Sequence, residues 1–334
     1  MDDRDLLQHL IRGPASGDAL AKAAGQTRAA VWKRIEALRQ AGVGIAAQAG
    51  RGYALTQPLD LLDPAALRAA LPAAVQAGIA ELEVVWTIDS TNSELLRRRG
   101  FDAGTQVLLA ERQTGGRGRR GRVWASPLAA HLYLSLARGF GGGLARLGGL
   151  SLVAGVAVAE ALHELGFSAV RLKWPNDIVV VEPHGLRKLG GLLIEGSGEH
   201  AGPARAIIGL GVNVRMPEVA ARAIDQPWCD LAGLAVESGT TLPDRNAIAA
   251  CVLARLLPAL DQFDAEGLAP FLPRYAALDA LAGQQVTLQS GGGSQSGMAM
   301  GVAEDGALRL RLDEDGREHR VHAGEVSVRK AVAA

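Results

Sequence analysis

The feature that most constrains the fold of this chain is a hydrophobic pattern that changes at two points along the sequence. Residues 1 to about 57 form short segments of helical periodicity that end in "GRGYALTQP", and the following "LDLLDP" is typical of a linker. From about residue 80 to 280, strand-like runs such as "ELEVVWTI" alternate with helical ones such as "GLSLVAGVAVAEALHELG". From about residue 283 onward, short alternating strands are separated by DG turns.

These patterns predict an α+β protein of three domains, with the ranges 1–60, 61–280 and 281–334. With 334 residues, of which 48% are hydrophobic, the chain can bury more than one core. We expect a winged helix-turn-helix at the N-terminus, a mixed α/β domain in the centre and a small β-barrel at the C-terminus. The "SGGGSQSG" tract inside the last domain is interpreted as the tip of a hairpin rather than as an interdomain linker.

The N-terminal segment "SGDALAKAAGQTRAAVWKRIEALRQAG" predicts two helices joined by a turn at Gly25. In the second helix Val31, Ile35 and Leu38 form an apolar stripe. The "AGRGYAL" that follows is expected to form a short hairpin, so the segment resembles a winged helix-turn-helix. The periodicity does not decide whether Trp32 packs under this wing or faces outward.

The same segment has the charge that phosphate contacts require. Residues 1–56 contain 8 Arg and Lys against 5 Asp and Glu, which is a net charge of +3. A helix of this size fits the major groove of DNA, with the wing against the phosphates. A three-helix module for protein contacts remains the alternative. The candidate DNA-binding residues are Thr27, Arg28, Lys33, Arg34 and Arg51.

The stretch "QTGGRGRRGRVW", residues 113 to 124, concentrates positive charge on a glycine-rich backbone. Glycines let backbone N–H groups approach a ligand, and guanidinium groups match pairs of phosphate or carboxylate oxygens. The stretch lacks the spacing of a P-loop or of a dinucleotide-binding motif. It indicates a site for an anion, and an RGG-like RNA-binding tract or a solvated loop remains open.

Three further clusters lie in the central region, and each has an ordinary structural alternative. "DSTNSELL" places short polar side chains between a strand and a helix, where they also serve as a helix cap. "RLKWPNDIVV" indicates a tight turn, which could be a plain surface turn. "LRKLGGLLIE" places Lys188 at the start of a strand, a position that is usually solvent-exposed. In "IIGLGVNV", Gly209 and Gly211 weaken a strand unless a ligand or another backbone lies close.

Composition excludes several classes of protein. The formal net charge is +0 and the pI is about 7.1, so a nucleic-acid role must rest on a local patch. The longest apolar run, between Arg146 and Glu160, is shorter than the roughly 18 residues of a membrane span. Cys229 and Cys251 lie far apart without a metal-binding spacing, which argues against a disulfide framework or a structural zinc site. With an acidic N-terminus that does not resemble a secretory signal, these features predict a cytoplasmic protein.

Five motifs taken together resemble those of the biotin protein ligases: "DSTN", "GRGRRGRVW", "KWPND", "RKLGG" and "GLGVNV", in this order. The preceding "TRAAVWKRI" and the trailing β-barrel are similar to the bifunctional bacterial form, which is also the repressor of the biotin operon. The resemblance extends over nearly the whole chain. It implies a central domain like those of class II synthetases and a C-terminal barrel of the SH3-like kind.

The resemblance also implies a two-step reaction. The carboxylate of biotin attacks the α-phosphate of ATP to give biotinyl-5'-AMP and pyrophosphate, and a lysine of an acceptor protein then attacks the mixed anhydride. The implied acceptor is the biotin carboxyl carrier protein of acetyl-CoA carboxylase. The other implied partners are operator DNA of the biotin biosynthesis genes and a second copy of the chain, with no membrane. ATP, Mg²⁺ and biotin would bind only during the reaction.

Residue by residue, the resemblance implies the following site. Its catalytic residues are Lys188, Arg117 and Arg119. The biotin-binding residues are Ser90, Thr91, Asn92, Gln113, Gly116, Arg117, Gly118, Arg119, Lys188, Gly191 and Gly211. The residues for ATP and the adenylate are Arg117, Arg119, Arg120, Arg122, Trp124, Lys173, Asn176 and Asn213. Asp177 is the implied Mg²⁺ ligand.

Three other functions remain to be distinguished from a bifunctional ligase and repressor. The first is a ligase whose N-terminal domain no longer binds DNA. The second is a lipoate ligase, which uses related chemistry, although the arginine-glycine stretch and the N-terminal domain fit it poorly. The third is a transcription factor with a ligand-sensing domain and no catalysis, against which Lys188 and the arginines count.

Overall fold

The N-terminal part of the computed structural model is a winged helix-turn-helix, as expected. Helices α1 (Asp3–Arg12), α2 (Gly17–Ala24) and α3 (Arg28–Gln40) precede an antiparallel hairpin of β1 (Ile45–Gln48) and β2 (Gly52–Leu55). The structure describes residues 2–48, 50–98, 104–183, 185–198, 202–290, 293–323 and 327–330.

Local chemistry sets the boundaries of α2 and α3. The hydroxyl of Ser16 and that of Thr27 each accept a hydrogen bond from the backbone N–H three residues later, at 3.1 and 3.2 Å. Gly25 ends α2 in the left-handed conformation, with φ 59°. The predicted turn is therefore confirmed. The predicted apolar stripe is buried as well, through Val31, Ile35 and Leu38.

The connector of residues 58–63, interpreted from the sequence as a linker, is held on both sides. Arg4 Nη2 donates to Leu62 O at 2.8 Å, which ties the connector to α1. Leu62 itself is fully buried in the core of the central domain. Asp60 Oδ1 lies 2.9 Å from Arg245 Nε. The connector therefore joins the N-terminal domain to the central domain through fixed contacts on both sides.

The central domain is built on a seven-stranded mixed sheet. Its strands are β3 (Ile79–Val85), β4 (Thr105–Ala110), β5 (Leu132–Phe140), β6 (Val170–Lys173), β7 (Asp177–Glu182), β8 (Gly185–Gly198) and β9 (Ala204–Val212). They lie in the order β3-β4-β5-β9-β8-β7-β6. β3 and β4 are parallel, and the remaining neighbours are antiparallel.

Helices cover both faces of this sheet. The helices of the domain are α4 (Pro64–Ala70), α5 (Ala73–Ala77), α6 (Thr91–Arg97), α7 (Leu150–Glu164), α8 (Glu218–Ala221), α9 (Leu231–Ser238), α10 (Arg245–Glu266) and α11 (Leu272–Leu278). α7 and α10 pack together in the main core, which includes Ile208, whereas Leu95 of α6 packs with Ile207. Because successive residues of a strand face opposite sides, α6 covers the opposite face from α7.

Helix α10 is long and apolar enough to span a membrane by length and composition alone, with a mean hydropathy of 1.2. However, 56% of the 18-residue stretch over which this hydropathy is averaged is buried inside the protein, where α10 packs on α7. Arg245 begins the helix and Pro258 lies within it. We therefore describe α10 as a core helix.

The C-terminal part is a five-stranded antiparallel sheet. β10 (Gln285–Ser290), β11 (Gly293–Val302), β12 (Leu308–Leu312), β13 (Glu318–Val321) and β14 (Ser327–Lys330) lie in the order β13-β12-β11-β10-β14. Among the described residues, β13 and β14 lie at the two edges of this sheet and do not pair with each other. The strand pairing alone therefore does not close a barrel. Ser290 pairs with Gly293, which confirms the predicted hairpin. Residues 293–297 belong to β11, and Gly291 and Gly292 lie outside the described residues.

One segment of the central domain, residues 126–129, enters the core of the N-terminal domain. Leu128 and Ala129 are buried in the apolar cluster formed by α1, α2 and α3. Leu128 N donates to Ala41 O at 2.8 Å. Pro127 occupies the space beside Gly42, where an added Cβ would come within 2.6 Å of the proline Cβ. The two domains therefore share part of one core.

Candidate functional site

A cavity of about 150 Å³ opens where strands β5, β8 and β9 face the arginine-glycine loop, residues 114–123. The cavity brings together motifs that lie far apart in the sequence. Sixteen of the residues predicted for biotin, ATP or Mg²⁺ line it. They are Ser90, Thr91, Asn92, Gln113, Arg117, Gly118, Arg119, Arg120, Arg122, Trp124, Lys173, Asn176, Asp177, Lys188, Gly191 and Gly211.

The "DSTN" motif serves both as a helix cap and as part of the cavity wall. Ser90 is the N-cap of α6, and its hydroxyl accepts from Ser93 N at 3.4 Å. Thr91 donates from its backbone N to Gln113 Oε1 at 2.9 Å. Gln113 Nε2 in turn donates to Ser126 Oγ at 3.2 Å. The cap interpretation and the binding-site interpretation are thus compatible.

Both the nitrogen and the oxygen of the Asn92 side-chain amide have hydrogen-bond partners. Its Nδ2 donates to Leu193 O at 3.2 Å and to Glu195 Oε2 at 2.8 Å, and its Oδ1 accepts from Ser135 Oγ at 2.7 Å. Gly209 provides the room, because a Cβ there would lie 2.2 Å from Asn92 Oδ1. Asn92 therefore forms a rigid part of the cavity floor, and Gly209 is required by this side chain.

The arginine-glycine loop folds back on itself as a small hairpin. Gly118 N donates to Arg122 O at 2.7 Å, and Trp124 N donates to Gly116 O at 2.9 Å. At the tip, Arg120 has the left-handed φ of 58°. This geometry directs several guanidinium groups toward one opening.

Two of these arginines already have protein partners. Arg117 Nη2 lies 3.1 Å from both carboxylate oxygens of Glu195. Arg119 donates to Asn176 Oδ1 at 3.3 Å and to Ala323 O of the C-terminal domain at 3.1 Å. Burial lowers the pKa of Arg119 from its usual value, but the side chain stays protonated at neutral pH. A bound anion would compete with Glu195 for Arg117.

The "KWPND" motif forms the predicted tight turn, and this turn lies in the cavity wall rather than on the outer surface. Lys173 ends β6 and Asp177 begins β7, and the two residues pair across the turn. Asp177 Oδ1 lies 2.6 Å from Lys188 Nζ, and Asp177 Oδ2 lies 3.3 Å from Lys173 Nζ. Burial by itself would raise the pKa of Asp177, but the two ammonium groups outweigh it and lower the pKa below its usual value.

Trp124 forms the wall opposite these lysines. Lys188 Nζ lies 5.5 Å from the centroid of the indole ring, in a cation–π arrangement. A Cβ at Gly211 would come within 2.6 Å of the ring, so only glycine leaves room for the indole. Trp124 Nε1 is buried without a hydrogen-bond partner among the described residues. An acceptor atom of a ligand would satisfy this donor.

Two predicted residues do not reach the cavity lining. Asn213 lies just beyond the end of β9, and its Nδ2 donates to Cys229 O at 3.0 Å. Gly116 lies inside the loop hairpin, where a Cβ would be 2.7 Å from both Ser126 Oγ and Trp124 O. The structure therefore gives Asn213 a structural position and gives Gly116 a role in loop packing.

Several residues that line the cavity, or that hold its lining residues in place, were not found from the sequence. Ser135 is a fully buried polar residue in the apolar run "LYLSLA", and Glu195 is a carboxylate at the end of "GGLLIE". A polar residue within an apolar strand was a usable signal for both. The remaining lining residues carry no such signal; they are Val123, Leu134, Trp174, Pro175, Leu192, Leu193, Leu210, Gln226 and Val328.

The surroundings of Asp177 bear on the predicted Mg²⁺ site. No group of three or more His, Cys, Asp or Glu side chains in this part of the chain lies close enough to hold one. Asp177, the predicted Mg²⁺ ligand, is already neutralised by two lysines. Its donor set therefore does not fit a dedicated magnesium site.

The predicted DNA-binding residues differ in what they contact. Thr27 caps α3, Arg28 Nε lies 3.3 Å from Asp18 Oδ1, and Arg34 Nη1 lies 2.6 Å from Asp3 Oδ1. Lys33 and Arg51 are exposed. Arg34 thus turns toward α1, while the other basic residues remain on the outer surface.

Gly209→Ala is expected to weaken the biotin binding that the sequence predicts by at least about tenfold, because the new methyl group must displace Asn92 from Ser135 and Glu195. Titration calorimetry with biotin checks this result. Gly141→Ala is the control, since Gly141 lies outside the cavity lining and, beyond its chain neighbours, its Cβ would come no nearer to another atom than 3.9 Å, to Asp264 Oδ1. Equal effects of the two substitutions would contradict the role given to Gly209.

Known families match all three parts of the chain. The helix-turn-helix (HTH) domain model matches residues 3–54, and the biotin/lipoate A/B protein ligase family model matches residues 84–213. The biotin protein ligase C-terminal domain model matches residues 282–329.

Individual proteins are similar over most of the chain. The bifunctional ligase/repressor BirA of Salmonella typhimurium is 40% identical over 316 residues, which cover 95% of this chain and 93% of that protein. The biotin–[acetyl-CoA-carboxylase] ligase of Mycobacterium tuberculosis is 35% identical, over 75% of this chain and 90% of that protein. The solved biotin protein ligase from Aquifex aeolicus in complex with biotin and ATP has a TM-score of 0.60 and 27% identity, and covers 75% of this chain and 100% of that chain.

Proposed function

Because the chain belongs to the biotin protein ligase family, in the form that carries a helix-turn-helix domain, we propose that it biotinylates a carrier protein and represses transcription. The central domain would use ATP to form biotinyl-5'-AMP and then transfer biotin to a lysine of a biotin carboxyl carrier protein. The N-terminal domain would bind operator DNA of the biotin biosynthesis genes. A relative named as both ligase and repressor, similar over 95% of this chain, supports the combination.

The observation that carries the catalytic proposal is the charge of the cavity. Its described lining contains six cationic side chains and one carboxylate, that of Asp177. The first step brings together two anions, the carboxylate of biotin and the triphosphate of ATP. Fixed cations offset their repulsion and stabilise the negative charge that develops at phosphorus. The cationic residues are Arg117, Arg119, Arg120, Arg122, Lys173 and Lys188.

The floor of the cavity suits the neutral polar end of biotin. Thr91, Asn92, Gln113 and Ser135 supply hydroxyl and amide groups around it. Their mutual hydrogen bonds hold these groups in place before substrate arrives. The arginines lie at the loop side, so we assign the floor to the ring system of biotin and the loop side to its carboxylate and to the phosphates.

Lys188 and Trp124 are assigned to the reacting end. Lys188 carries a charge that is only partly offset, because it shares Asp177 with Lys173. The indole N–H of Trp124, which has no hydrogen-bond partner in the part of the chain that the structure describes, favours a hydrogen-bond acceptor of the adenylate beside it. In the second step both the nucleophile and the leaving group come from substrates, so the chain itself contributes position and charge.

Mg²⁺ would then accompany ATP as a substrate complex. It prefers phosphate oxygens, water and one or two carboxylates, and the described lining of the cavity offers only the lysine-paired Asp177. We therefore assign no catalytic step to a protein-bound metal.

We propose the ranges 1–60, 61–280 and 281–334 for the DNA-binding, catalytic and C-terminal domains, in keeping with the strands and helices in each. Helix-turn-helix proteins commonly bind two half-sites as dimers, which supports a homodimer on DNA. A carrier protein and a genomic operator as partners support a cytoplasmic location.

Intact mass spectrometry of an unmodified carrier domain tests the ligase proposal. After incubation with this protein, Mg-ATP and biotin, we expect a biotin-sized gain in mass on one lysine and none when lipoate replaces biotin. A gain with lipoate alone would select the lipoate ligase. No gain with either acid would leave the anion site without catalysis and favour a pure regulator.

A further inference from the structure

Trp32 places an exposed aromatic ring on the second helix of the helix-turn-helix. Its side chain is 53% exposed, and it does not join the apolar cluster of the N-terminal domain. The other large exposed hydrophobic side chains among the described residues are all valines. A single exposed apolar residue is common on protein surfaces. Trp32 differs from such a residue because it lies on the second helix of the helix-turn-helix and is surrounded by positive charge.

The surroundings of Trp32 are small and positively charged. Ala29, three residues earlier on α3, is exposed and adds no bulk. Arg28 lies one turn before Trp32, and Lys33 follows it. Lys33 has no ion-pair partner among the residues that the structure describes, and Arg28 meets only the exposed Asp18. The Trp32 patch, residues 28, 29, 32 and 33, is thus an apolar spot with a cationic rim.

The rim and the centre match two different parts of one ligand. Cations on a helix of this kind contact the phosphates that border the major groove. Within that groove, the apolar feature that distinguishes one base pair from the others is the 5-methyl group of thymine. A basic rim with an apolar centre therefore fits a thymine-containing duplex better than an apolar protein surface.

We propose that Trp32, with Ala29 beside it, contacts the 5-methyl group of a thymine in each operator half-site and so sets sequence specificity at that position. This inference rests on the proposed DNA-binding function. It adds the identity of one base that α3 recognises. Arg34 and Arg39 have other roles, since Arg34 pairs with Asp3 and Arg39 Nε donates to Ile45 O at 2.9 Å. Lys33 contacts phosphate and contributes affinity without specificity.

The test begins with a selection from randomised duplexes. The full chain, with biotin and Mg-ATP present, is used to enrich bound sequences, and Trp32→Ala and Lys33→Ala are run in parallel. The wild type is expected to enrich thymine at one defined position of each half-site. Trp32→Ala is expected to lose that preference while keeping the others. Lys33→Ala is expected to weaken all sequences alike and to reduce the salt dependence of binding.

A second measurement requires no substitution in the protein. The selected thymine is replaced by deoxyuridine, which removes only the methyl group. Wild-type affinity is expected to fall about fourfold for each half-site changed, from the value of burying one such group. Trp32→Ala is expected to bind the two duplexes equally. Circular dichroism melting curves of the variant check that its fold is intact.

The outcomes separate the two proposals. If the wild type enriches no sequence, the DNA-binding function itself is wrong. If it enriches a sequence but deoxyuridine binds as tightly as thymine, or Trp32→Ala keeps the same preference, the role of Trp32 is overturned. A uniform loss of affinity in Trp32→Ala with an unchanged preference also overturns it, since that result marks a contact with the backbone or with a protein.

Discussion

Replacing Lys188 by alanine is expected to lower kcat/KM for adenylate formation by about 10²- to 10³-fold. Its ammonium lies 2.6 Å from Asp177 Oδ1 in the cavity, and its side chain is only 20% exposed. Without it, Asp177 keeps only Lys173 at 3.3 Å. The local potential then becomes less positive where the triphosphate must bind. Pyrophosphate release with biotin and Mg-ATP, in the absence of carrier protein, measures this step alone.

Lys173→Ala is the matched control for Lys188→Ala. Both lysines meet the same carboxylate, but Lys173 does so at the longer distance, and only Lys188 lies over the ring of Trp124. We expect a smaller loss from Lys173→Ala. Supplying biotinyl-5'-AMP directly should restore much of the transfer rate in Lys188→Ala if the residue acts mainly in the first step. A loss below about tenfold, or an equal loss in both variants, would contradict the role given to Lys188.

Arg245→Met is expected to lower the free energy of unfolding by about 3 to 5 kcal/mol. Arg245 is 2% exposed and joins the connector to the central domain through several contacts. Its Nη2 lies 2.8 Å from Glu111 Oε2, its Nε lies 2.9 Å from Asp60 Oδ1, and Nη2 also donates to Asp60 O. Glu111 is fully buried, so loss of the guanidinium leaves a carboxylate without its counter-charge. Urea unfolding followed by circular dichroism measures the change.

The double variant Glu111→Gln with Arg245→Met separates a broken charge pair from lost packing. A neutral amide needs no counter-charge, and its oxygen can still accept from Leu62 N, which now donates to Glu111 Oε1 at 2.7 Å. We therefore expect the double variant to recover a substantial part of the lost stability. If it is as unstable as Arg245→Met alone, the cost comes from packing, and the unpaired charge is not its cause.

The sequence predicted the order and type of the main elements because their local signals were strong. The glycine turn at Gly25 and the stripe on α3 both depend on residues close together in the chain. The same holds for the turn between Lys173 and Asp177. Local chemistry of this kind is visible without knowledge of the tertiary fold.

The differences between the predicted site and the cavity lining arise where a contact depends on distant parts of the chain. Asn213 follows Gly209 and Gly211 at a spacing of two, which would place all three on one face of a strand. The strand ends at Val212, however, and Asn213 turns away to bond Cys229 O. Glu195 was missed because its partners, Asn92 and Arg117, come from other elements.

The shared core around residues 126–129 has a consequence for the history of this architecture. A gene encoding residues 1–60 alone would make a DNA-binding domain that lacks Leu128 and Ala129 from its interior. A lineage that discarded the N-terminal domain would in turn expose the apolar surface of these residues to water, with a corresponding risk of aggregation. Gain or loss of the regulator by fusion or deletion thus requires compensating substitutions on the remaining partner. Truncated descendants are expected to carry polar residues at the positions of Leu128 and Ala129.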